Sequence, residues 1–253
     1  MNKIFICFLV TYNFSILAFS QSGFEKSQKK FRRVRDAYKF REAEILKNLS
    51  GHGLDEKSFR LLIMASKLDE ELRLYAGEIA GKTPLKLIRT FRICSSSGHP
   101  GPKSRQGDDQ VPEGFYQINR FNPISLYHLA LQVSYPGKAD LMRSAGQNPG
   151  GDIMIHGSCV TIGCLPMTNP GIEEIYIYAI KAKNNGQEEI PVYIFPAWPD
   201  KESFRKLLIE NSADPALCRF WKNLETGYRL FKEKQLPLLH SVSAAGEYVF
   251  HPE

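Results

Sequence analysis

Between residues 60 and 93, three short apolar runs are separated by turn-forming tetrapeptides, and this pattern limits the fold more than any other feature. Leu72, Leu74 and Ala76 alternate with Arg73 and Tyr75, the period of two that sets one face of a strand against a core. The runs cover residues 60–65, 72–76 and 85–93, and Lys67-Leu68-Asp69-Glu70 and Gly81-Lys82-Thr83-Pro84 part them. Connections this short join antiparallel neighbours, so the segment reads as a meander. Further strand-like runs lie at 115–118, 125–133, 153–156, 191–195 and 247–250. The expectation is a mainly β domain with packed helices, of the α+β class.

Helical spacing appears elsewhere. Phe31, Val34, Tyr38, Ile45 and Leu49 recur at steps of three, four or seven and predict a helix over 24–49. Its start, KSQKKFRRVR, is basic: either a solvated face or a contact with an anionic wall or membrane surface. Asn169 as cap and Pro170 in the first turn open a second helix, with Ile172, Ile175, Tyr176 and Ala179 as its buried stripe. It ends at Asn184-Asn185-Gly186. Phe204, Leu207 and Leu208 suggest a third. Asp214-Pro215 caps a fourth, with Leu217, Phe220, Trp221, Leu224, Tyr228 and Phe231 as core rather than a ligand box.

Residues 1–20 carry Lys3, a mostly apolar run and Ala18-Phe19-Ser20, which reads as an export signal cleaved near Ser20. The apolar run is short and interrupted for a spanning helix, which needs about 20 apolar residues. The expected division is 1–20 signal peptide, 21–55 N-terminal helical segment, 56–200 main domain and 201–253 C-terminal helical extension packed on it. The chain is 43% hydrophobic and 24% charged, which argues against disorder along its whole length. Its net charge of +6 is too small to argue for a nucleic-acid partner.

Chemistry concentrates in residues 153–176, IMIHGSCVTIGCLPMTNPGIEEIY. A strand delivers His156, Gly157 follows, and Cys164 sits just after Gly163 and shortly before a helix. A thiol attacks as thiolate, so it needs a base, and an imidazole is the obvious one. Gly163 lets the backbone fold sharply, so that amide N–H groups near Cys164 line an oxyanion site. A buried thiol, a satisfied structural histidine and a zinc site of Cys159, Cys164 and His156 are the competing readings. Against zinc, the CxxC and HxxxH spacings are absent and a fourth ligand is unnamed. No metal or other cofactor is expected.

The sequence resembles the L,D-transpeptidase (YkuD-type) catalytic domain family, in its YafK-like branch. Residues 101–118, GPKSRQGDDQVPEGFYQI, resemble that branch's loop signature, and 122–140, NPISLYHLALQVSYPGKAD, its next block. Residues 153–168 resemble the active-site segment and 172–178 the helix after it. Residues 192–199 and 220–231 resemble the closing segments, so the likeness runs over roughly 60–235. The chain departs from the broader family at Ile162, which replaces a histidine, and at Leu165-Pro166, where no arginine follows. The distance from His156 to Cys164 is also shorter. These departures fit the YafK-like branch.

The resemblance implies an L,D-transpeptidase fold and the peptide stems of peptidoglycan as partner. Cys164 is then the nucleophile and His156 the base, with the Gly157 backbone carbonyl orienting the imidazole. A thioester forms and is resolved by an amine or by water. The expected place is the periplasm. A hydrolase that frees an outer-membrane lipoprotein from the wall is the rival within enzymes, and a non-catalytic wall-binding module the rival outside them. Lys103, Arg105, Tyr116, Ser125 and His128 are the expected substrate-binding residues, while Asp108 and Glu113 organise the loop 95–114. Cys159 is expected to pair with Cys94, because each sits beside a family block and the bridge ties the active-site segment to the sheet.

Overall fold

The computed structural model describes residues 23–80 and 83–252; the expected signal peptide lies outside them. After a helical turn at 23–28, α1 (Arg32–Gly51) leads into β1 (Phe59–Ser66), β2 (Glu71–Glu78) and β3 (Lys86–Arg92). These strands form the expected antiparallel meander. The chain then runs through β4 (Gly114–Asn122), β5 (Ala130–Val133), α2 (Lys138–Arg143), β6 (Met154–His156) and β7 (Leu165–Pro166). It continues with α3 (Asn169–Asn184), β8 (Pro191–Phe195), α4 (Glu202–Glu210), α5 (Pro215–Lys234) and the hairpin β9 (Leu239–Val242) and β10 (Tyr248–His251). No described helix is long and apolar enough to cross a membrane.

Eight strands form one sheet in the order β3-β2-β1-β8-β4-β5-β6-β7. The pairs β1–β8 and β6–β7 are parallel and the others antiparallel. β1 shows why the sheet is covered twice. Its residues Leu61, Ile63 and Ala65 point into a core shared with α1 and α3, while Leu62 and Met64 point into a second core under α4 and α5. Alternate side chains thus find apolar partners on both faces, the pattern of a strand buried between layers. The α+β expectation holds, and the aromatic residues of α5 are core, with Trp221, Tyr228 and Phe231 nearly inaccessible.

Several local expectations shift. The first helix is two pieces, and Phe31 is the exposed residue ahead of α1 rather than part of its stripe. The strand expected over 125–133 is confined to β5. Pro123 lacks a donor N–H and His128 takes φ 70°, so 123–129 is a turn. The cap of α3 is Thr168, whose hydroxyl accepts from Gly171 N at 3.2 Å, not Asn169. Asp214 caps α5 as expected, accepting from Ala216 and Leu217 N–H. Helix α2 and strand β9 are too short for periodicity to reveal.

Candidate active site

The pairing of β6 with β7 sets the site. Ile155 stands opposite Leu165 and His156 opposite Pro166, in parallel register. Ile155 and Leu165 both enter the first core. Alternation then turns His156, the last residue of β6, to the other face, and Cys164 stands one residue ahead of β7. The ladder thus carries one of the two residues singled out for chemistry and sets the other on the segment that enters the paired strand.

His156 is buried, and its Nδ1 lies 2.6 Å from the Gly157 carbonyl oxygen. A carbonyl only accepts, so Nδ1 carries the proton and Nε2 is left with its lone pair. Burial pushes the imidazole below its ordinary range, against a smaller upward pull from the Gly157 bond. Gly157 itself is a tight approach. A Cβ there would come within 2.6 Å of Asn169 Oδ1 and 2.9 Å of both His128 Cβ and the Tyr127 carbonyl.

The Cys164 thiol donates to the Asp152 carbonyl at 3.7 Å. Burial pushes the thiol above its ordinary value; the Met154 N–H and the Lys103 charge pull it down, and Asp152 pushes it up. Both shifts favour the uncharged form of each group. Gly163 takes φ 125°, a region that favours glycine, and a Cβ would sit 3.0 Å from the Gln110 carbonyl. The turn is held by Thr161. Its hydroxyl accepts from Cys164 N at 2.8 Å and Gly163 N at 3.2 Å, and donates to the Cys164 carbonyl at 2.9 Å. The two amides expected to be open to an oxyanion are thus engaged by this hydroxyl.

A cavity of about 130 Å³ opens beside Cys164, walled by Lys67, Ile93, Ser95, His99 and Pro100. Cys94 and Cys159 form a disulfide at its edge, as expected, which fastens the segment before Cys164 to the end of β3. With Cys159 in that bridge, the Cys, Cys, His group is not a set of zinc ligands.

The other expected residues are placed differently. Lys103 is 5% exposed, and its ammonium is committed to Asp108 and the Arg105 carbonyl, so it is not presented to a ligand. Burial alone would raise the Asp108 carboxyl, but Lys103 and the N–H groups of Arg105, Ser104 and Gln110 hold it at about 2. Arg105 is exposed on the same loop. Tyr116 belongs to the core, not the cleft: its hydroxyl donates to the Glu113 carbonyl or Asp140, each at 3.1 Å. The Ser125 hydroxyl accepts from Tyr127 N, and His128 Nε2 pairs with Glu173 at 3.0 Å, so both shape the turn 123–129. Glu113 is fully buried and gathers Gly101 N, Lys67 Nζ and Trp221 Nε1 within 2.9 Å, which pins the loop to both layers. Two residues at the site had no signal in the sequence that singled them out: Tyr127, whose ring rests on His156, and Thr161.

Residues 69–194 match the L,D-transpeptidase catalytic domain, YkuD. The chain belongs to the YkuD family. This YkuD chain is 38% identical over 166 residues to the L,D-transpeptidase candidate YafK of Escherichia coli (strain K12), covering 65% of this chain and 64% of that one. It thus spans just under two thirds of that relative's length. Among solved structures, Pgp2 from Campylobacter jejuni, a helical cell shape determining protein, is 20% identical with a TM-score of 0.44 over 78% of this chain and 80% of its own. L,D-transpeptidase 1 of Mycobacterium tuberculosis is 18% identical with a TM-score of 0.31, over 54% of this chain and 61% of its own. All the expected site residues, from Lys103 to Cys164, fall inside the matched YkuD segment.

Proposed function

We propose that this YkuD-family chain is an exported cysteine acyltransferase that works on peptidoglycan peptide stems in the periplasm. Members of the family act on the cell wall, which implies export. The reading rests on one observation above the rest: His156 ends β6 with Nδ1 held by the Gly157 carbonyl, and Cys164 directly precedes β7, the strand paired with β6.

In this mechanism His156 Nε2 takes the thiol proton as Cys164 Sγ bonds to the stem carbonyl carbon. The carbonyl π electrons move to oxygen. When they return, the C–N bond breaks, the imidazolium gives its proton to the leaving amine, and a thioester remains. A second amine, or water, attacks the thioester and gives its proton to His156. The thiolate leaves and is reprotonated. Because both shifts favour the uncharged forms, proton transfer accompanies attack rather than preceding it.

The test is mass spectrometry of the protein with disaccharide tetrapeptide muropeptides and with wall fragments still carrying a lipoprotein remnant. Exchange or crosslink products together with an acyl adduct on Cys164 are expected. Loss of the remnant to leave a free stem, without new crosslinks, assigns the hydrolytic outcome. Absence of both products and adduct overturns the reading and leaves a wall-binding role.

A further inference from the structure

Three strand positions form one row across the sheet. Asn122 of β4 pairs with Ala130 of β5, and Ala130 pairs with His156 of β6. The turn 123–129 and the segment 157–164 both leave the sheet from this row. They carry apolar side chains outward: Leu126 is 95% exposed, Ile162 81% and Ile124 72%, and Tyr127 and Val160 are exposed beside them. Single exposed apolar residues are ordinary, but a group of them on two segments that leave the sheet together marks an interaction surface. Wall sugars and stem peptides are polar and gain little from such side chains.

The same corner is basic. Arg33 donates to the carbonyls of Ser125 and His128, which fastens the start of α1 to the apolar turn. Phe24 packs on Phe121 of β4 with ring centroids 5.0 Å apart, bringing the preceding helical turn alongside. Lys26, Lys30, Arg32 and Arg35 are exposed on this stretch, with Phe31 among them.

We infer that this corner seats on an anionic phospholipid surface. Ile124, Leu126, Tyr127, Val160 and Ile162 enter the boundary between headgroups and acyl chains, and Lys26, Lys30 and Arg32 meet the headgroups. Charge selects lipid over a second copy of this chain, since a symmetric pair would set the same basic cluster against itself. Tyr127 rests on His156 and Ile162 leads into Cys164, so the candidate site then lies close to the bilayer, and its substrate is a wall peptide lying close to a membrane.

Trp198 and Trp221 are both fully buried, so a tryptophan at position 126 reports on the patch alone. Leu126→Trp in the full chain is mixed with vesicles of phosphatidylglycerol and phosphatidylcholine whose acyl chains are brominated. A blue shift and quenching are expected, both reversed by high salt and both absent with phosphatidylcholine alone. Adding Lys26→Gln and Lys30→Gln is expected to weaken partitioning roughly twenty-five-fold, since each basic side chain near a charged leaflet contributes about fivefold. Vesicle binding with no change at position 126 overturns the inference, because another segment then makes the contact. A blue shift that follows protein concentration and needs no vesicles also overturns it, in favour of a second copy. None of these readouts depends on turnover. Loss of acyl transfer with quenching intact would sink the proposed chemistry and leave the membrane seat standing.

Discussion

The ring of Tyr127 lies against the imidazole of His156, with centroids 4.8 Å apart and planes inclined by 32°. One face of the candidate base is thereby shielded from water by a residue that is itself exposed. Tyr127→Ala removes that cover. Because burial is what lowers the His156 pKa, uncovering it moves the pKa up and carries the acid limb of the rate profile to higher pH. Turnover at neutral pH is expected to fall about tenfold or more as the ring loses its fixed orientation. Tyr127→Phe should restore both. An unchanged acid limb in Tyr127→Ala would show that the ring does not tune the histidine.

The preference of both groups for the uncharged form makes a claim about the thiol. With burial raising the Cys164 pKa, its reaction with iodoacetamide should climb with pH past the ordinary thiol value. A resting thiolate–imidazolium pair would instead react at a rate already level in mild acid. Rates from pH 5 to 10, followed by peptide mass, separate the two. Cys164→Ala should abolish turnover with circular dichroism unchanged.

Gly157 leaves no room for a methyl group. Gly157→Ala forces Asn169, His128 or the Tyr127 backbone aside, at roughly 1–3 kcal/mol for an overpacked site. The midpoint of thermal unfolding should drop, and activity should fall further than stability explains, since the displaced groups flank His156. A variant of unchanged midpoint would mean that the turn yields freely.

The loop 103–110 hangs on Asp108. Its carboxyl is held at about 2, below the range it has in an unfolded chain, so its contribution is full at neutral pH. That contribution fades as the pH falls from about 4, the unfolded value, towards 2. Asp108→Asn should destabilise the protein at pH 7 by about 2 kcal/mol, and the gap to wild type should narrow in acid. Chemical denaturation at pH 7 and pH 3 tests this; a gap that does not narrow counts against the charge as its source.

The Cys94–Cys159 bridge closes a loop of 65 residues, worth at most about 4 kcal/mol in the chain-entropy account. Cys94→Ser with Cys159→Ser should lower both stability and turnover, and a reducing agent should do the same to the wild type. Full activity in the double variant would make the bridge irrelevant to the nucleophile.

The sequence was legible wherever the backbone pattern and the chemistry coincided. Alternation at Leu72, Leu74 and Ala76 placed the meander, and the run from His156 to Cys164 marked out the candidate site. It was less legible where one residue type serves two purposes. Lys103 has the charge to hold a substrate carboxylate, but Asp108 five residues on takes it first. Tyr116 sits in a strand whose alternation turns it inward, towards Asp140 on a helix too short to foresee. Tyr127 reads as one more apolar position in a strand; only the turn imposed around Pro123 and His128 sets its ring on the imidazole.

Under the proposed chemistry, Thr161 would give the site a selectivity that no list of donors conveys. The two amides next to the thiol already have an oxygen in place, uncharged and supplied by the protein. A substrate carbonyl that displaced it would exchange one neutral acceptor for another and gain almost nothing. An oxygen that has taken on negative charge makes the stronger bond and can evict the hydroxyl at a profit. In the proposed acyl transfer the internal placeholder would discriminate by charge, holding the amides back from the bound ground state and releasing them to the intermediate.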